Sequence, residues 1–175
     1  MSAIRHVAYG PALMLLLCAV ALACSVLAAC GSTVSAGTKG GAGDGLCGSS
    51  RRVDRLVVER VDLLPQNHPH FTFPARITVT DPAQARSVAH AACELPPMPS
   101  GSFSCPNDMG IVYRLTFTAG GKELPRVQAD AGGCGLVHGI GQTRWTISSP
   151  GFWTALAAAM GIRQPTSSTF SGTTS

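Results

Sequence analysis

The chain has 175 residues, with 13 Lys and Arg against 9 Asp and Glu, a formal net charge of +4 and seven cysteines. Its basic residues do not cluster. The densest stretch, RRVDR at 51–55, is interrupted by Asp54, so a nucleic-acid-binding surface has no support.

The first element is an apolar run. After Arg5, no charged residue occurs from Ala12 to Ala29. A basic start, an apolar middle and small residues at the end have the form of a secretory signal. A run of roughly 18 to 20 residues also suffices for an anchor helix, and the cysteines inside and after it discriminate between the two. Leu27-Ala28-Ala29-Cys30 resembles the bacterial lipobox, an aliphatic residue and two small ones before the cysteine that is lipidated. The peptidase needs small side chains beside the bond that it cuts. Cys18 follows Leu15-Leu16-Leu17, which is too bulky, and Cys24 follows Ala21-Leu22-Ala23, with the large residue misplaced. The lipobox implies a covalent diacylglycerol and an N-acyl chain on Cys30, and no other cofactor is expected. Two or three chains hold a protein on a membrane where one gives only marginal binding. Residues 1–29 are therefore expected as a lipoprotein signal peptide. The rest is expected outside the cell, attached to the membrane. Removing Arg5 with the signal lowers the balance to +3.

Residues 30–45, including GSTVSAGTKGGAGDG, have the composition of a flexible tether. Residues 46–163 are expected to form a single α+β domain, and the polar stretch QPTSSTFSGTTS at 164–175 a disordered tail.

Within the domain, RLVVERVDLL (55–64) reads as a strand and PQNHPHFTFP as a connection punctuated by proline. ARITVTD alternates Ile77 and Val79 with Arg76, Thr78 and Thr80, a second strand. Asp81 as N-cap and Pro82 at the first helical position open a helix. Its buried stripe is Ala85, Val88, Ala92 and Leu95, with Arg86, His90 and Glu94 on the wet side. Pro96-Pro97 ends it. Val112 to Thr118 alternates as a strand, Gly120-Gly121 suits a tight hairpin turn, and ELPRVQAD returns with a bulge or edge signalled by Pro125. GLVHG and TRWTI are short candidate strands. A second helix is expected from a Ser149 cap and Pro150, with Phe152, Trp153, Leu156 and Met160 on its apolar face and Gly161 at its C-terminal cap. The expected fold is an antiparallel sheet of four to six strands with two helices on one face.

Four cysteines follow Cys30: Cys47, Cys93, Cys105 and Cys134. An even number in an exported chain points to two disulfides, and no C-x-x-C pair supports zinc. Three connectivities are open. Positions facing each other across a turn at 120/121 sum to 241, and Cys105 with Cys134 sums to 239. That favours Cys105–Cys134 and leaves Cys47 for Cys93.

Other chemistry-bearing residues make no motif. His68-Pro69-His70 offers two imidazoles and no identifiable third metal ligand. Cys134 and His138 would form a dyad only with a free thiol. Asp108 is expected to cap a turn in PNDMG, and nothing pairs it with Asp130 as acid and base. Trp145 and Trp153 read as core. No G-x-S-x-G and no phosphate-binding glycine motif before a helix is present.

TVTDP, LPPMPSG, CPNDMG, GGC and FWTALAAAMG, in that order, resemble a group of small secreted proteins and lipoproteins of actinobacteria over about two thirds of the mature chain. In that group the cysteines matching Cys105 and Cys134 recur as a pair, while Cys47 and Cys93 look like an addition. The resemblance brings no mechanism. AACELP, SCPNDMGIVY and GGC are also similar in order to the Streptomyces subtilisin-inhibitor family. That similarity implies a protease-contacting loop at Asn107, Asp108 and Met109, although Asn107 departs from the side chain those inhibitors insert. The expected function is a non-catalytic module that binds an exported protein or a cell-wall component. The alternative is a protease inhibitor.

Overall fold

A computed structural model describes residues 45–106, 108–166 and 168–172. Strands β1 (Val53–Asp62), β2 (Arg76–Val79), β3 (Ile111–Ala119), β4 (Lys122–Glu123), β5 (Val127–Asp130), β6 (Leu136–His138) and β7 (Arg144–Trp145) form one antiparallel sheet. Its order is β2-β1-β3-β5-β6-β7, with β4 paired to β3 beside that path. The helices are α1 (Leu46–Ser49), α2 (Pro82–Cys93) and α3 (Gly151–Ala159). This is the expected α+β class. Two details exceed the expectation: α1 is a third helix, and the return of the hairpin is divided into β4 and β5.

That division has a local cause. Gly120 and Gly121, at φ +59° and +79°, make the tight turn, a conformation that costs glycine little and other residues much. The register leaves the turn as Ala119↔Lys122 and Thr118↔Glu123. By Leu115↔Val127 it has slipped by one residue. The slip spans Pro125, which has no N–H to give to a ladder.

One face of the sheet carries the core. Cross-strand partners share a face, so Leu56↔Phe117, Val58↔Leu115, Leu115↔Val127 and Ala129↔Val137 line it together, all buried. Ala85, Val88, Ala89 and Ala92 of α2 and Phe152, Leu156 and Ala157 of α3 join the same cluster. Each large apolar side chain so placed contributes about 1.5–3 kcal/mol.

The helix ends follow their sequences closely but not wholly. Asp81 accepts a hydrogen bond from the Ala83 N–H at 2.8 Å, capping α2. In α3 the N-cap position belongs to Pro150, not Ser149, and no side chain caps it. The Thr154 amide and hydroxyl instead both donate to the Pro150 carbonyl at 3.0 Å. Gly161, at φ +75°, ends α3 as expected.

Cys47 is bonded to Cys93 and Cys105 to Cys134, with Cα separations of 5.5 and 4.9 Å. The first bridge ties α1 to the end of α2. The second closes the outer ends of the β3–β5 hairpin.

The expected disordered tail is corrected over its described residues, 164–166 and 168–172. Residues 168–172 run back along the domain, and Phe170, only 5 % exposed, belongs to the core. Cys30, the signal peptide and tether residues 31–44 lie outside the described residues.

Candidate functional site

The alternation that buries Leu56 and Val58 turns Arg60 of β1 to the same inward face, where its partner in the ladder is Tyr113. A cation so placed needs compensation. Arg60 Nη1 donates to the Phe73 carbonyl at 3.2 Å. Its guanidinium carbon lies 3.7 Å from the centroid of Phe71 and 5.0 Å from that of Phe73. Attraction to ring faces replaces part of the lost hydration. The Pro-punctuated loop between β1 and β2 thus supplies the aromatic cover that the arginine requires.

Tyr113 is fully buried. Desolvation pushes its hydroxyl well above the ordinary phenol range, and the charge and hydrogen bond of Arg60 only partly offset this. The hydroxyl stays protonated and donates to the Phe170 carbonyl at 3.0 Å. The Phe170 ring lies 4.8 Å from Trp153, 5.4 Å from Tyr113 and 6.3 Å from Phe73, centroid to centroid. The Tyr113 pair is edge-to-face, at 82°, the arrangement that ring quadrupoles favour. Gly172 continues the contact: a Cβ there would come within 2.8 Å of Pro69 and 2.9 Å of Phe71.

Beside this aromatic seat runs a partly enclosed cavity of about 270 Å³. Trp153, Thr154, Pro150 and Ala131 line it from the body, and Pro165, Thr166 and Phe170 from the returning segment. Its walls are ring faces and proline rings with two threonines among them. Such a surface suits a compact, partly apolar side chain and not a charged one.

The residues singled out from the sequence fall elsewhere. Asp108 Oδ1 accepts from the Gly110 N–H at 2.9 Å, the expected turn cap, and its carboxylate lies against Gly132 and Gly133. Met109 is half-buried against the core, and its carbonyl accepts from Asn67 Nδ2 at 3.4 Å. Asp108 is exposed, as are residues 101–106, whereas Met109 is half-buried. Asn107 lies outside the described residues. Asp108 and Asp130, left apart by the sequence, are electrostatically coupled. Desolvation raises the Asp130 carboxyl and Asp108 adds to this, against opposing effects of Gln128 and His138.

Cys134 is in a disulfide, so its sulfur is no nucleophile toward His138. His138 Nδ1 is 3.3 Å from Thr143 Oγ1. Among the described residues no three His, Cys, Asp or Glu side chains converge on a metal position, and no helix is long and apolar enough to cross a membrane. His90 and Glu94 pair at 3.2 Å on the exposed side of α2, each side chain more than 60 % exposed, where an ion pair adds little. The exposed large hydrophobic residues among those described are Leu63, Phe103 and Ile147, and Phe103 lies 5.9 Å from Trp145, centroid to centroid.

Arg60, Phe71, Phe73 and Phe170 escaped the reading of the sequence. Arg60 had a readable signal: it continues the Leu56-Val58 alternation inward. Phe170, one aromatic among Ser, Thr and Gly, has no periodicity to reveal it. Trp153, read as core, is half-buried and forms a wall of the cavity.

Set against protein-family models, curated proteins and solved structures, the chain matches none.

Proposed function

We propose that this chain is an exported lipoprotein whose domain, held to the outer face of the membrane through Cys30, works by binding another exported protein or a cell-wall component. The observation that carries this reading is the pair of disulfides. They join cysteines 46 and 29 residues apart in sequence, and bridges of this kind persist in oxidising compartments outside the cytosol. Their closure agrees with the export signal and with the lipobox at Leu27-Ala28-Ala29-Cys30. The partly apolar cavity beside Trp153 supplies a surface suited to binding.

Mass spectrometry of the membrane fraction tests the anchor. The mature chain is expected to begin at an acylated Cys30, and Cys30→Ala is expected to remove that species and leave the unprocessed precursor. A wild-type chain recovered with residues 1–29 intact and Cys30 unmodified would sink the proposal.

A further inference from the structure

We infer that residues 164–166 and 168–172 are a built-in ligand: a detachable strap whose Phe170 occupies a peptide-binding seat formed by Phe73, Tyr113 and Trp153. The natural occupant from outside is a peptide segment with one phenylalanine among small polar residues. The inference deepens the reading of the domain as a binding module and rests on it.

Three observations lead here. First, the strap is structured by itself. The Thr169 N–H donates to the Thr166 carbonyl at 3.1 Å, the Gly172 N–H to the Ser168 carbonyl at 2.9 Å, and the Thr166 N–H to Thr169 Oγ1 at 2.7 Å. Among the described residues, the hydrogen bond between strap and body is the single one from Tyr113 to the Phe170 carbonyl. Neither a strand pairing nor a helix fastens the segment to the sheet. Second, its one buried side chain is Phe170, with Gly172 packed beside Pro69 and Phe71. Gln164, Pro165 and Thr166 are exposed, Ser168, Thr169, Ser171 and Gly172 are half-buried, and Phe170 is buried. A segment with so few buried contacts belongs to the least stable parts of a fold. Third, Phe170 does not fill the space available. A cavity of about 270 Å³ remains between Phe170, Thr166 and Pro165 on the strap and Trp153, Thr154, Pro150 and Ala131 on the body, so the strap does not close fully against its seat.

The body of the seat is carried by elements other than the strap. Tyr113 is fixed in the middle of β3, Trp153 is carried by α3, and Phe73 is held through its own carbonyl by Arg60. Tyr113 contributes more than shape. Its hydroxyl, kept protonated by burial, is a fixed donor for one backbone carbonyl, and the ring beside it selects an aromatic residue. A recognition unit of one main-chain acceptor and one aromatic ring is what a short peptide can supply.

The test uses the chain shortened to end at Arg163 and a synthetic peptide of residues 164–175, with Trp153 fluorescence as the readout. The shortened chain is expected to keep its circular dichroism and both disulfides and to bind the peptide saturably. Phe170→Ala in the peptide should weaken binding about tenfold or more, since ring burial and ring pairing are both lost. The full-length chain should bind the same peptide about tenfold more weakly or worse, because its own strap competes at high effective concentration. Equal binding of the two peptides, or none by a folded shortened chain, would overturn the inference. So would collapse of the shortened chain, which would make Phe170 part of the indispensable core. Hydrogen exchange on full-length Phe170→Ala gives an independent reading. Faster exchange confined to 166–172 supports a strap, and equal acceleration through β3 refutes it. A dimer formed by exchanged straps, seen in sedimentation of the full-length chain, would support the seat and replace the external peptide with a second copy. Each of these readouts is independent of Cys30 processing, so failure here leaves the anchor untouched, and failure of the anchor leaves the strap untouched.

Discussion

Asp130 shows how far one position can depart from what its letter suggests. It sits at the end of β5, with Val112 as its partner across the ladder, and Asp108 lies close enough for the two charges to repel. Burial and that repulsion raise its folded-state carboxyl above the unfolded value. A raised carboxyl favours the native state only while protonated. Its contribution is therefore complete below the unfolded carboxylate pKa and is lost as pH rises through the folded one, so at neutral pH ionised Asp130 works against folding. Asp130→Asn removes the charge and keeps an acceptor. It is expected to raise the melting temperature at pH 7 and to give little or no gain at pH 3. Thermal denaturation at the two pH values checks this, and an equal effect at both would exclude the electrostatic cause. Arg60 makes the same point from the opposite side. Period-two alternation puts a cation inward at that position, and the cost is met by Phe71 and Phe73 from a loop whose sequence gave no reason to place them there.

Elements were legible where local chemistry and long-range packing agree. In α2, Asp81, Pro82 and the stripe of Ala85, Val88, Ala92 and Leu95 all point to one helix with one buried face, and all four stripe residues are buried. The cap has a measurable share in this. Asp81→Ala removes the acceptor for the Ala83 amide and is expected to cost about 1 kcal/mol, within the range of about 0.5–2 kcal/mol for lost N-caps. Chemical denaturation should show a lowered midpoint with an unchanged slope, whereas an unchanged midpoint would mean that water replaces the carboxylate without loss. The hairpin was legible for a similar reason: two glycines fix the turn, and the turn fixes which cysteines meet. Where elements were misread, local signals were too short or were overridden. LCGS in α1 gives four residues of no periodicity, yet Leu46 is fully buried and Cys47 is bonded to Cys93. In α3 the serine expected as cap is displaced by Pro150, whose carbonyl already serves Thr154. The tail was misjudged by its composition, because eleven polar or small residues outweighed the one ring that decides its position.

At the scale of the molecule the disulfides set much of the margin of stability. By chain entropy, closing loops of 46 and 29 residues stabilises the folded state by about 4 and about 3.5 kcal/mol. Domains of this size are stable by only about 5–15 kcal/mol in total, so the two bridges together are comparable with the whole margin. The bridges also act at different places. Cys47–Cys93 holds the entry of the chain against α2, and Cys105–Cys134 closes the far end of the sheet beside Asp108. Losing one should therefore leave a weakened but folded domain, while losing both should leave none. The expected result is a graded series. Cys47→Ser with Cys93→Ser, and Cys105→Ser with Cys134→Ser, each lower the melting temperature of the domain, and full reduction of the native protein abolishes its cooperative transition near physiological temperature. Thermal melts with and without reductant measure this directly. A reduced protein that still melts cooperatively, and within a few degrees of the oxidised one, would show that the core suffices alone. It would also remove the main physical reason for placing the folded domain outside the cytosol. A domain that cannot hold its fold with free thiols has to acquire its bridges in an oxidising compartment, and the proposed export and anchoring through Cys30 would place it there.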